Sequence, residues 1–155
     1  MRRNLNSFLT ALLVALMSVM VLSALLQVFA RFFDLNVPFT EELTIYAMMW
    51  VTLFGAAYAF GLKKHIAIDA LVSVLDTSLR RKVEVLIELF VALFAIMILL
   101  IGGSWFTYLT FKLGQLSPVI QIPKGWVYLA LPATGLIILA YNILNIRAII
   151  SKASD

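Results

Sequence analysis

Residues 83–110 read VEVLIELFVALFAIMILLIGGSWFTYLT, a run of 28 residues from Val83 to Thr110 whose only charges, Glu84 and Glu88, lie near one end. About 20 consecutive apolar residues in a helix cross the hydrocarbon core of a bilayer. Three other stretches qualify on the same grounds: Phe8 to Ala30, about Leu43 to Leu62 with no charge inside it, and about Trp126 to Ile146. None alternates polar and apolar residues as a barrel strand does. The sequence therefore predicts an all-α integral membrane protein, one domain over residues 1–155, with spans at about 8–30, 43–62, 83–110 and 126–146.

Composition agrees. Of 155 residues 63% are hydrophobic and 13% charged, with a mean hydropathy of +1.04. Soluble domains are about 45–50% apolar and about 25% charged. A core of this length cannot hide so much apolar surface from water, so phospholipid must cover part of it. Cysteine is absent, which removes disulfides and thiolate sites. The start, Met1-Arg2-Arg3-Asn4, is like the positive region of a signal peptide. The 23 apolar residues that follow exceed the 7–15 or so of a cleaved signal, and are read as a retained first span.

Charge sets the orientation. With a cytoplasmic N-terminus, nine of the twelve Lys and Arg fall inside: Arg2, Arg3, Lys63, Lys64, Arg80, Arg81, Lys82, Arg147 and Lys152. Arg31, Lys112 and Lys124 fall outside. This is the positive-inside pattern, with both termini cytoplasmic, rather than a nucleic-acid surface. Aromatic residues (Phe29, Phe32, Phe33, Trp105, Phe106, Tyr108, Phe111, Trp126, Tyr128) mark the outer interface.

Between the second and third spans, His65, Asp69, Ser73, Asp76 and Arg80 recur every three or four residues. Ile68, Leu71, Val72, Leu75 and Leu79 share that period on another face. This predicts an amphipathic helix at about 65–80, lying in the cytoplasmic interface or packed beneath the bundle. His65 and Asp69, one turn apart, are either a solvated pair or a tie to the bundle or a partner. On the outer side Thr40 is placed to cap the second helix, with Glu41 and Glu42 in its first turn. Arg31 ends the first helix close by, so an Arg31 pair with Glu41 or Glu42 is expected. The connection from Lys112 to Gly125 holds Gly114, Ser117-Pro118 and Ile122-Pro123. The residues before proline are pushed to extended conformations, so it should be stiff.

Chemistry is scarce in these spans. No nucleophile triad, phosphate loop or carboxylate pair sits in a span interior, so no enzymatic activity, metal or cofactor is expected. A bis-histidine haem needs two axial ligands, and His65 is alone. A small proton-coupled exporter needs an ionisable group deep in a span. Glu84 and Glu88 instead lie near the cytoplasmic end of a helix about 42 Å long, and both can reach headgroup depth. Glu84 can pair with Arg80, while Glu88 is either part of that cluster or a functional contact. Gly55 and Ala59 form one small-residue face and Gly102-Gly103-Ser104 a second; each packs within the bundle or against another subunit. Trp50 is an intramembrane packing residue, and Pro132 should kink the fourth helix.

The series Ala30-Arg31-Phe32-Phe33, Pro38-Phe39-Thr40-Glu41-Glu42-Leu43, Trp50, Gly55-Ala56-Ala57 and Lys64-His65-Ile66-Ala67-Ile68-Asp69 is followed by Ser117-Pro118-Val119-Ile120-Gln121-Ile122-Pro123 and Tyr128-Leu129-Ala130-Leu131-Pro132. Taken in this order, it resembles the small, DctQ-like membrane subunit of tripartite ATP-independent periplasmic (TRAP) transporters, over about Leu12 to Ile146. Phe39 departs from the pattern, since family members often carry tryptophan there. The resemblance implies a non-catalytic subunit in the bacterial inner membrane. Its partners would be a large transmembrane subunit, which binds the driving sodium, and a periplasmic protein that captures an organic acid such as sialic acid or a dicarboxylate. A small self-sufficient homo-oligomeric transporter or channel is the alternative.

Overall fold

The computed structural model describes residues 2–62 and 77–151. The chain forms α1 (Arg2–Phe32), α2 (Phe39–Gly61), α3 (Thr77–Phe94), a π-helical stretch (Ala95–Gly102), α4 (Gly103–Lys112), α5 (Gly125–Tyr128) and α6 (Ala130–Ser151). Four helical runs are long and apolar enough to span a membrane: Arg2–Phe32, Phe39–Gly61, Lys82–Lys112 and Gly125–Ile149. The all-α, four-span reading of the sequence stands. Most of the expected amphipathic helix, with His65 and Asp69, lies outside the described residues. Its last turn does not stand apart, because α3 begins at Thr77 and runs on into the third span.

The helices form a row. α1 packs on α2, α2 on α6, and α6 on α3, the π stretch and α4. The fourth span therefore sits between the second and the third. It is the most buried of the four, at 39% of its apolar window against 11% for the first. One cluster joins all four spans: Leu9 from α1, Ala57 and Phe60 from α2, Ala95 and Leu99 from the third span, and Ile138 and Tyr141 from α6. Much of the remaining apolar surface faces outward, Phe8, Leu22 and Val28 on α1 and Leu89, Phe90 and Ile98 on the third span among it. A row of helices covers its side chains on fewer sides than a closed bundle, and lipid or protein must cover the rest.

Glycines set the tight approaches, at Gly103 in the second small-residue face and at two positions the sequence did not single out. A Cβ at Gly103 would lie 2.7 Å from the Leu131 Cβ and 3.3 Å from Pro132, so the third and fourth spans meet there. A methyl group on Gly61 would overlap the Tyr141 ring, and one on Gly125 the Phe111 ring. Gly55 has nothing within 4 Å of that position. Gly55 is thus not used for close packing among the described residues, which leaves that position open to lipid or another chain. The helical pattern of the fourth span is interrupted at Leu129, three residues before Pro132. Proline lacks the N–H that would have bonded the Tyr128 carbonyl, which accounts for the break.

The π stretch was not foreseen. Seven of its eight residues are apolar and the last is Gly102, next to Gly103-Ser104; the stretch also packs on α6, where Leu99 and Leu100 close on Gly135.

Candidate functional site

Two polar assemblies are built into the row, one at each end. The first joins the start of α2 to the 113–124 connection. Glu42 is 6% exposed. Its Oε1 accepts a hydrogen bond from the Tyr46 hydroxyl at 2.6 Å, one helical turn on. Its Oε2 accepts from the backbone N–H groups of Ile120 at 2.8 Å and Val119 at 3.2 Å. An ionised carboxylate offers acceptors only, and three converging donors match it.

The loop is shaped to present those amides. Leu116 and Pro123 form an isolated antiparallel bridge. The Ser117 N–H donates to the Ile122 carbonyl at 2.9 Å, the Ile122 N–H donates to Ser117 Oγ at 3.3 Å, and the Lys124 N–H donates to the Gln115 carbonyl at 2.9 Å. Gln121 turns the tip with a φ of +60°, and its side-chain amide donates to the Pro118 carbonyl at 3.0 Å. Ser117 is fully buried. Pro118 and Pro123 cost no hydrogen bond here and restrict the residues before them. This turn and its bonds to Glu42 connect the loop to the start of α2. Beside it lies a groove of about 450 Å³, lined by residues that include Pro38, Glu41, Tyr46, Val119, Lys124 and Tyr128.

Two expectations for this end are corrected. Thr40 does not cap α2, which starts at Phe39 without a side-chain cap. Its hydroxyl instead donates back to the Val37 carbonyl at 2.7 Å, while its own carbonyl accepts from Ser23 Oγ at 2.8 Å and ties α1 to α2. Nor does Arg31 pair with either glutamate. Arg31 and Glu41 line one groove of about 370 Å³ with Gln27 and Asp34, and the ion pair found among the described residues is Arg80–Glu84 at 3.1 Å. Glu42 has turned to the loop, where two amides and a hydroxyl outbid one exposed guanidinium whose surface pairing is worth only about 0–1 kcal/mol.

The second assembly lies toward the end that carries the N-terminus. Glu88 does not reach outward to headgroups as expected. It is buried, and the Asn142 amide donates 2.7 Å bonds to both its Oε2 and its backbone carbonyl. Tyr141, fully buried, donates to Asn6 Oδ1 at 2.6 Å, and an Arg2 guanidinium nitrogen donates to the Gly61 carbonyl. Asn145, one turn beyond Tyr141, is fully buried, and neither its amide nitrogen nor its oxygen has a partner. The sequence reading missed Tyr46, Asn142 and Asn145. A signal was present, because a polar residue inside an apolar span is costly unless it has a role. Trp50 packs edge-on against Phe54, one turn on in the same helix, at 5.2 Å.

These features define a multi-pass, all-helical membrane protein whose buried polar groups are largely spent on holding its own loops and helices. Residues 20–151 match the family of the DctQ component of tripartite ATP-independent periplasmic transporters, and the chain belongs to that family. It is 25% identical over 136 residues to a TRAP transporter small permease protein of Haemophilus influenzae, covering 87% of this chain and 83% of the relative. It is 32% identical over 99 residues to the C4-dicarboxylate TRAP transporter small permease protein DctQ of Rhodobacter capsulatus. That match covers 63% of this chain and 43% of the relative's own length.

Proposed function

We propose that this chain is the non-catalytic small permease subunit of a sodium-driven importer of organic acids. It holds a large, substrate-moving membrane subunit and adds its outer loop to the surface on which a periplasmic binding protein docks. The observation that supports this best is the open row of helices. It leaves long apolar faces uncovered on α1 and the third span. The loop clasped by Glu42 supports the docking role, since a surface with its backbone already ordered loses less entropy on binding. The buried carboxylates argue the same way: Glu42 is engaged by loop amides and Glu88 by Asn142. Sodium and substrate are then assigned to the large subunit, and the chain sits in the inner membrane with both termini cytoplasmic.

The test is expression with and without the neighbouring large membrane subunit. The chain should co-purify with that subunit, and liposomes should take up organic acid only when both are present with the binding protein and a sodium gradient. Sodium-dependent uptake by this chain alone would favour the self-sufficient homo-oligomer.

A further inference from the structure

At the N-terminal end, the flank between α1 and α2 opens into a groove of about 710 Å³ lined by Arg2, Arg3, Asn6, Ser7, Thr10, Ala11 and Tyr58. Its polar lining is all neutral or cationic. Two arginines lie at its mouth, and no carboxylate contributes among the described residues. The Arg2 side chain is steered by its bond to the Gly61 carbonyl, at the end of α2. The Thr10 hydroxyl donates to the Tyr58 hydroxyl at 3.1 Å and closes the floor between the two helices.

Further into the membrane the lining becomes apolar. Ala11 is followed one turn on by Val14, which is 59% exposed. Gly55 lies one turn from Tyr58 on α2, about 60° round the helix at 100° per residue. Nothing stands within 4 Å of where its Cβ would be. Beyond the cationic, hydroxyl-lined mouth, α1 and α2 thus carry small and apolar residues at Ala11, Val14 and Gly55. This is the polarity profile of a phospholipid, with the headgroup at the surface and acyl chains below it.

We propose that this groove binds one anionic phospholipid from the leaflet on the N-terminal side. Its phosphate lies between Arg2 and Arg3 with the Ser7 and Thr10 hydroxyls in reach, and an acyl chain runs along Ala11, Val14 and Gly55. Charge complementarity selects an anionic headgroup over a zwitterionic one, because each basic residue near a membrane surface adds to the attraction for negative lipid. The apolar extension selects a lipid over a free phosphate. The site is independent of what the protein transports.

The test is native mass spectrometry of the full-length chain, delipidated and then incubated with equal amounts of phosphatidylglycerol and phosphatidylcholine. One phosphatidylglycerol should be retained in preference. Arg3→Gln should lower that preference about five-fold, the effect of removing one basic residue at the surface. Arg3 is exposed and has no structural bond among the described residues, so the fold should survive. Gly55→Leu fills the chain path with both arginines intact and should lower phosphatidylglycerol retention as well. Circular dichroism and thermal unfolding confirm that each variant is folded. Soluble sn-glycerol 3-phosphate in the same molar amount should not displace the lipid. Equal retention of the two lipids by the wild type, wild-type retention in either variant, or displacement by glycerol phosphate would each overturn the proposal.

Discussion

Gly61 and Tyr141 provide a quantitative check on how the second and fourth spans meet. In Gly61→Ala, the new methyl would enter the Tyr141 ring. The ring cannot step aside cheaply. It is fully buried, it packs in the cluster with Leu9, Phe60 and Leu99, and its hydroxyl is held by Asn6 at 2.6 Å. Overpacking of this kind costs about 1–3 kcal/mol. Replacing a helical glycine by alanine returns about 0.5–1 kcal/mol in backbone entropy. The net loss is then about 1–2 kcal/mol, which for a chain of this size lowers Tm by about 2–8 °C. Tyr141→Ala alone removes a large buried ring and should cost about 3–5 kcal/mol. The two changes should not add: with the ring gone the methyl has room, so the double variant should be less destabilised than the sum by about 1–3 kcal/mol. Thermal unfolding in detergent, followed by circular dichroism, measures all four corners of this cycle. Gly55→Ala serves as the control and should match or exceed the wild type, because it meets open space. A Gly61→Ala protein as stable as the wild type, or a strictly additive cycle, would refute this account of the helix contact.

Glu42→Ala removes the acceptor for the Val119 and Ile120 amides. Hydrogen exchange at 117–122 should quicken while the spans stay protected, and unchanged exchange there would mean the loop orders itself. Asn142→Leu should lower stability by about 1–3 kcal/mol, because it takes an amide donor from the buried Glu88 carboxylate. Asn145→Leu should be neutral or stabilising, because it removes a buried amide with no partner; thermal unfolding of the two variants side by side decides, and a loss at Asn145 as large as at Asn142 would contradict the difference. An alkaline phosphatase fusion after Gln115 should be active and one at the C-terminus inactive, and activity at the C-terminus would break the proposed orientation.

How far the site was legible depends on the kind of interaction. Arg80 and Glu84 lie four apart on one helix, so spacing alone predicted their 3.1 Å pair. The loop partners of Glu42 lie more than seventy residues away, and their amides carry no side-chain signature. Spacing favoured Arg31 for the glutamates because it is near in sequence, but it is silent on how a distant loop folds back.

The number, order and approximate limits of the spans follow from the sequence alone. Backbone in hydrocarbon must satisfy its own hydrogen bonds, so a long apolar run has one conformational solution, the helix. The ordered series of Arg31, Glu41-Glu42, Trp50 and Ser117-Pro118 pointed equally well to the family. Which side of each helix faces its neighbour was decided only by the tertiary structure. In water an amphipathic stripe marks the inward face, but in lipid the outward face is just as apolar and the period carries little information. Gly55 and Gly61 are both glycines near one end of the same helix, and the chain does not say which of them receives a tyrosine ring. Rotation about the helix axis decides it, at about 100° per residue, and packing among all four spans sets that rotation.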